Sequence, residues 1–144
     1  MKTTPLTPAD DAVLSHARDL NEETFDPEFF DGAHIVASSV RPTDGVPHDG
    51  VSLPASIGRA SSCAEPVAIG SAMAAGDNRE ELEACVAVAS PTPEHDAEEI
   101  RVVPPCGVCR ELLVDYNPEL RILVADDGEL GTVAAQELLP VRPW

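Results

Sequence analysis

The sequence predicts an α/β fold in which a partly parallel sheet carries helices packed on it. Short apolar runs alternate with helical patterns between residues 82 and 138, which implies strand-helix-strand connections. Two extended segments flank the turn signal Arg41-Pro42-Thr43-Asp44-Gly45 and add an antiparallel hairpin. Val13, Leu14, Ala17 and Leu20 recur at helical spacing and place an amphipathic helix ahead of both.

Residues 7–24 form that first helix, with Thr7 as cap, Pro8 at the first helical position and acids in the first turn. Residues 25–32, with Pro27 and Gly32, are a loop. The hairpin strands span 34–40 and 50–57. Ser61 and Ser62 cap a second helix that runs through Val67, Ile69 and Met73 to a stop at Gly76, so Cys63 and Glu65 fall on its first turn. Residues 82–89 are a buried strand in which Cys85 acts as a small hydrophobe. Residues 90–99 form an exposed loop with two prolines and four acids. Val102 and Val103 lead into Pro104-Pro105-Cys106, and a helix over about 108–116 ends before Pro118. A strand over 121–125 is closed by Asp126-Asp127-Gly128, and 132–138 make a short final helix.

At 144 residues this is one domain, 1–144, with an N-terminal helix over about 7–24 and a core over about 34–144. The longest apolar stretch, 67–76, is far short of the ~20 residues that span a bilayer, and residues 1–30 carry no signal-peptide pattern, so a cytoplasmic protein is expected. The net charge of −17 arises from 26 acids against nine basic residues, of which only Lys2 is lysine. Such a field repels nucleic-acid phosphates and anionic membranes, which excludes long nucleic acid and membrane partners and favours a small neutral or cationic substrate. It also suits a salt-rich cytoplasm, where a Debye length of a few Å screens self-repulsion.

Chemistry is concentrated at Cys63-Ala64-Glu65 and Pro105-Cys106-Gly107-Val108-Cys109-Arg110. A Cys-x-x-Cys alone suits a dithiol redox site, a structural zinc or a catalytic one. A third distant cysteine with an acid two residues away shifts the reading to one Zn²⁺ held by Cys63, Cys106 and Cys109, with the fourth position left to water. Bound zinc lowers the pKa of that water toward ~7, and Glu65 would take its proton. Arg110 would donate to the ligand sulfurs and offset three negative charges; the plainer alternative pairs it with Glu111 or Asp115. His16, His34, His48 and His95 lack metal-ligand spacing.

These two motifs, together with Glu111-Leu112-Leu113 and the terminal Glu137-Leu138-Leu139-Pro140, resemble the zinc-dependent cytidine deaminase superfamily, in particular its small homotetrameric branch of nucleoside and blasticidin S deaminases. The resemblance implies a cytidine deaminase-like three-layer fold with a mixed five-stranded sheet between helices. It further implies one Zn²⁺ per subunit on Cys63, Cys106 and Cys109, Glu65 as proton shuttle, and main chain near Ala64 against the amino-pyrimidine edge. A homotetramer and a pocket closed by Trp144 follow from the same resemblance. The ribose-gripping Asn and Glu of cytidine deaminases are not matched: Ser52 falls near the first position and Pro54 near the second. Pro66 stands where nucleoside deaminases commonly carry arginine. The implied activity is hydrolytic removal of the C4 amine from cytidine, deoxycytidine or a related cytosine nucleoside, a step of pyrimidine salvage. A modified or antibiotic nucleoside or other amino-heterocycle is the alternative substrate, and a non-catalytic zinc-binding assembly protein is the alternative of a different class.

Overall fold

A computed structural model describes residues 1–92 and 98–142. In chain order its elements are α1 (Pro8–Thr24), β1 (Val36–Pro42), β2 (His48–Val51), α2 (Ala64–Ala74), β3 (Leu82–Ala89), β4 (Arg101–Val102), α3 (Gly107–Tyr116), β5 (Arg121–Asp126) and β6 (Glu129–Ala134). The sheet runs β2-β1-β3-β5-β6, and β4 adds a sixth strand on the end of β3. β3 and β5 pair in parallel and every other pair is antiparallel, so the sheet is mixed, as the element order predicts.

Alternation along β3 separates the two faces. Ala84, Val86 and Val88 pack with Val13, Leu14 and Ala17 of α1, while Cys85 points to Ile69 and Leu113 of α2 and α3. The result is three layers with α1 below the sheet and α2 and α3 above it. α1 begins as its sequence dictates: Thr7 and Asp10 form a reciprocal capping box, with Pro8 just inside. Asp10 is fully buried and also receives Arg121 and, at 3.6 Å, Arg41, which ties the start of α1 to the sheet. α2 ends as expected, with Gly76 at φ 89° and its N–H on the carbonyl of Met73 at 3.0 Å.

Four expectations are corrected. The second hairpin strand is β2, not residues 50–57: after Val51 the chain leaves the edge at Pro54, which has no N–H to give a ladder, and only Leu53 pairs again, with Ser62. Neither Ser61 nor Ser62 caps α2, because their hydroxyls donate to the carbonyls of Gly58 and Cys63, and the cap position belongs to Cys63. Residues 132–138 are not one helix: Asp127 and Gly128, both at positive φ, make a two-residue turn that folds β6 back on β5, and only Ala135–Leu138 coil, as a short 3-10 turn. The five-stranded sheet gains β4, whose two residues lie where Val102 meets Val88. The 25–32 loop contains a 3-10 turn over Phe29–Gly32, and residues 93–97 of the 90–99 loop, His95 among them, lie outside the described residues.

Candidate metal centre

α2 and α3 start side by side above the sheet, and each is entered through a cysteine. Cys63 is the cap residue of α2 and Cys106 that of α3; both have extended backbone, and the Cys106 sulfur accepts from the Val108 and Cys109 N–H groups at the start of α3. The Cys63 and Cys106 thiols point at each other with Sγ atoms 3.6 Å apart. Cys109, in the first turn of α3, completes a group whose three Sγ atoms lie within 4.8 Å of one another. Cys63 and Cys106 are exposed, whereas Cys109 is buried.

Glu65, in the first turn of α2, reaches the same point from the protein side. Its side chain is 5% exposed, and its Oε2 accepts from the Cys109 thiol at 3.5 Å. Burial pushes the Glu65 carboxyl above its ordinary value, against its own backbone N–H and the Cys109 thiol, which both favour the carboxylate. Cys109 is pushed far up by burial and then by the charge of Glu65, and Cys63 is raised chiefly by burial. At Cys106 burial acts in the same direction, but hydrogen bonds from the Cys109 backbone and thiol outweigh it and the net shift is downward. Cys85 lies buried in the core at about 12, raised by its burial, as its apolar run predicts.

The donor set fits zinc. Three soft sulfurs suit Zn²⁺, and tetrahedral Zn–S bonds of about 2.3 Å put ligand sulfurs about 3.8 Å apart, close to the Cys63–Cys106 separation. A +2 ion would also offset the burial and the neighbouring Glu65 charge that raise Cys109 and Cys63. Held by these three sulfurs alone, such an ion would keep a fourth position for another ligand, and Glu65 lies beside Cys109.

A cleft of about 590 Å³ opens over the cysteines, with Phe30, Ser52, Leu53, Ala64, Glu65 and Pro104 among its walls. Ser52, the candidate substrate contact, lines it, yet its hydroxyl closes the sheet end, accepting from Val36 N–H at 3.2 Å and facing the Val36 carbonyl at 3.3 Å. Ala64 is buried at the first position of α2. Trp144 lies outside the described residues. Arg110 departs from both of its expected roles. Its Nε donates to the carbonyl of Pro105 at 2.9 Å and its Nη1 to that of Leu138 at 3.4 Å, because it sits one turn into α3 and folds back over main-chain acceptors that no helix bond can reach. Asp115 pairs instead with Arg142. His16 and His48 are paired with Asp49 and Asp77, and His34 accepts from the Asp26 N–H, so none joins the cysteines.

Gly50 was not anticipated. A Cβ there would fall 2.4 Å from Ala68 N and 2.5 Å from Ala64 O, so its missing side chain is what lets α2, and with it Cys63 and Glu65, seat on β2. A glycine inside a predicted strand is the one sequence signal that marks such an approach.

No protein-family model matches the chain. A blasticidin-S deaminase from Bacillus cereus is 38% identical over 112 residues, covering 78% of this chain and 79% of that protein. Among solved structures, a cytidine deaminase from Burkholderia pseudomallei superposes with a TM-score of 0.71 at 25% identity, covering 94% of this chain and 98% of that one. A cytidine deaminase from Bacillus anthracis superposes with a TM-score of 0.72 at 20% identity, covering 92% of this chain and 88% of the other.

Proposed function

This chain is an enzyme of the zinc-dependent cytidine deaminase superfamily, and we propose that it removes the C4 amine of cytidine, deoxycytidine or a related cytosine nucleoside by hydrolysis, releasing ammonia. The observation that carries the reading is the buried Glu65 carboxyl set against three clustered thiols, two of which, Cys63 and Cys106, line the cleft with it. Cys63, Cys106 and Cys109 would hold one zinc per subunit, which would supply an activated water at neutral pH. Glu65 would take one proton of the attacking water and deliver it to the ring nitrogen, where it stays, then take the proton left on the new C4 hydroxyl and deliver it to the departing amine, so that ammonia leaves and a C4 carbonyl forms. A carboxyl raised above its usual range suits both steps, since a proton carrier works best with a pKa near the working pH. Burial keeps bulk water away from that proton while it is in transit. The main chain of Ala64, at the start of α2, faces the amino-pyrimidine edge.

A blasticidin S-like antibiotic nucleoside is the second reading. It is favoured by the identity to blasticidin-S deaminase and by the cleft wall, where Ser52 spends its hydroxyl on Val36 and Pro54 offers no carboxylate for a ribose. The protein acts as a homotetramer in a salt-rich cytoplasm, readings supported by the family resemblance and by the charge of −17. Among the described residues no helix is long and apolar enough to cross a membrane.

Ammonia release by zinc-loaded protein in molar KCl, compared across cytidine, deoxycytidine, cytosine and blasticidin S, tests the proposal. Turnover that disappears in Glu65→Gln supports it, and the preferred substrate separates the two readings. Silence on all four, with zinc bound and the fold intact, discards the cytosine reading and leaves either an unusual amine substrate or a non-catalytic zinc protein.

A further inference from the structure

The three thiols of the metal centre are not equivalent, and the chain order of the cysteines misleads about which two are partners. Cys106-Gly107-Val108-Cys109 has the spacing of a redox dithiol, so oxidation of the metal-free chain would be expected between Cys106 and Cys109. The fold argues otherwise. Cys109 is buried, whereas Cys63 and Cys106, 43 residues apart in sequence, are both exposed with Sγ atoms 3.6 Å apart. Each sits at a cap position with extended backbone, and joining them closes the gap from 3.6 Å to the ~2.05 Å of an S–S bond.

We propose that Cys63 and Cys106 are a modification site: in the metal-free protein a peroxide-class oxidant joins them, not the Cys-x-x-Cys pair, in a reversible disulfide that removes two of the three metal ligands. In the first step an exposed sulfur attacks one peroxide oxygen, the O–O bond breaks, and a sulfenic acid and water result. In the second, the facing thiol attacks the sulfenic sulfur and expels its oxygen as a second water. Two thiols and one hydrogen peroxide thus give one disulfide and two waters. A dithiol reductant reverses the change, so the site is protected from the higher, irreversible sulfur acids. Occupied ligand sulfurs are not free to attack peroxide, so metal loading protects the pair.

The inference uses the metal-site reading only for its consequence, and its test reads the sulfurs themselves. The full chain, stripped of metal by a chelator, is treated with one equivalent of hydrogen peroxide, alkylated, digested without reduction and mapped by mass spectrometry. The expected result is loss of two of the four thiols and a peptide pair linked through Cys63 and Cys106, with Cys109 and Cys85 alkylated after denaturation. The same link must form in Cys109→Ser, and Cys63→Ser must keep all its remaining thiols under the same treatment. A Cys106–Cys109 link, an intermolecular link, or unpaired sulfinic acid at either exposed cysteine overturns the proposal. Native-state protection of Cys85 from alkylation reports that each variant is folded. Zinc added before peroxide tests the family reading separately: a bridge that forms equally fast with and without zinc counts against zinc at this site, while the mapped link still decides the pairing.

Discussion

Replacing Gly50 by alanine should damage the metal centre from outside it. The added Cβ would lie 2.4 Å from Ala68 N, 2.5 Å from Ala64 O and 2.8 Å from the Cβ of Val67, and two of these three are backbone of α2 that no rotamer change can move. Ordinary contact begins near 3.4 Å, so β2 and α2 must part by about 1 Å. β2 is held in place by its register with β1, where Gly50 faces Ser38, and the Ser71 hydroxyl bonds the Asp49 carbonyl at 3.1 Å, so α2 takes up most of the movement. Overpacking of this kind costs about 1–3 kcal/mol, or roughly 2–12 °C in melting temperature for a domain of this size. A shift of about 1 Å at Cys63 and Glu65 is enough to lower kcat/KM by about 10²-fold. The assay is kcat/KM on the preferred substrate together with melting temperature and zinc retention against a chelator. Gly70→Ala is the control: it lies on the exposed side of the same helix with nothing within 4 Å, and alanine there should stabilise by about 0.5–1 kcal/mol. If Gly50→Ala melts within about 1 °C of the wild type and keeps its kcat/KM, the seating of α2 on Gly50 does not position the site.

Glu65→Gln should lower kcat by about 10²–10⁴-fold while zinc stays bound, measured by ammonia release and metal analysis. Because burial raises the Glu65 carboxyl in the folded chain, unfolding the metal-free protein releases its proton; stability from this group is therefore full below the ordinary glutamate value and is lost as pH rises through the raised one, and Glu65→Gln should flatten that slope in pH-dependent melting. Arg110→Gln, which gives up bonds to the Pro105 and Leu138 carbonyls, should weaken zinc binding by about 10–100-fold in chelator competition, whereas Arg142→Ala, an exposed pair with Asp115, should leave it unchanged. Melting temperature should fall between molar and dilute KCl as the −17 charge loses its screening; equal values would remove the salt-adaptation reading.

Local chemistry alone determined a good part of this protein. Thr7-Pro8 sets the start of α1, the apolar run 82–89 is β3 to the residue, and Cys63-Ala64-Glu65 with Pro105-Cys106-x-x-Cys109 marks the three cysteines and the acid that the fold gathers. Each of these signals is complete within a few residues, because caps, turns and short apolar strands are chosen by neighbours in the chain. The tertiary structure decided the rest. Residues 132–138 carry too few apolar positions to tell a period of 2 from one of 3.6, and it is pairing with β5 that makes 129–134 a strand. Ser61 and Ser62 look like caps in sequence, but the bridge from Leu53 to Ser62 delays the helix until Cys63, and that delay is what turns the Cys63 thiol toward Cys106. Arg110 reaches carbonyls 5 and 28 residues away instead of the sulfurs beside it. In each case the partner that satisfies a buried polar group or fills a packed contact is supplied by a distant segment, and only the folded chain brings it within reach.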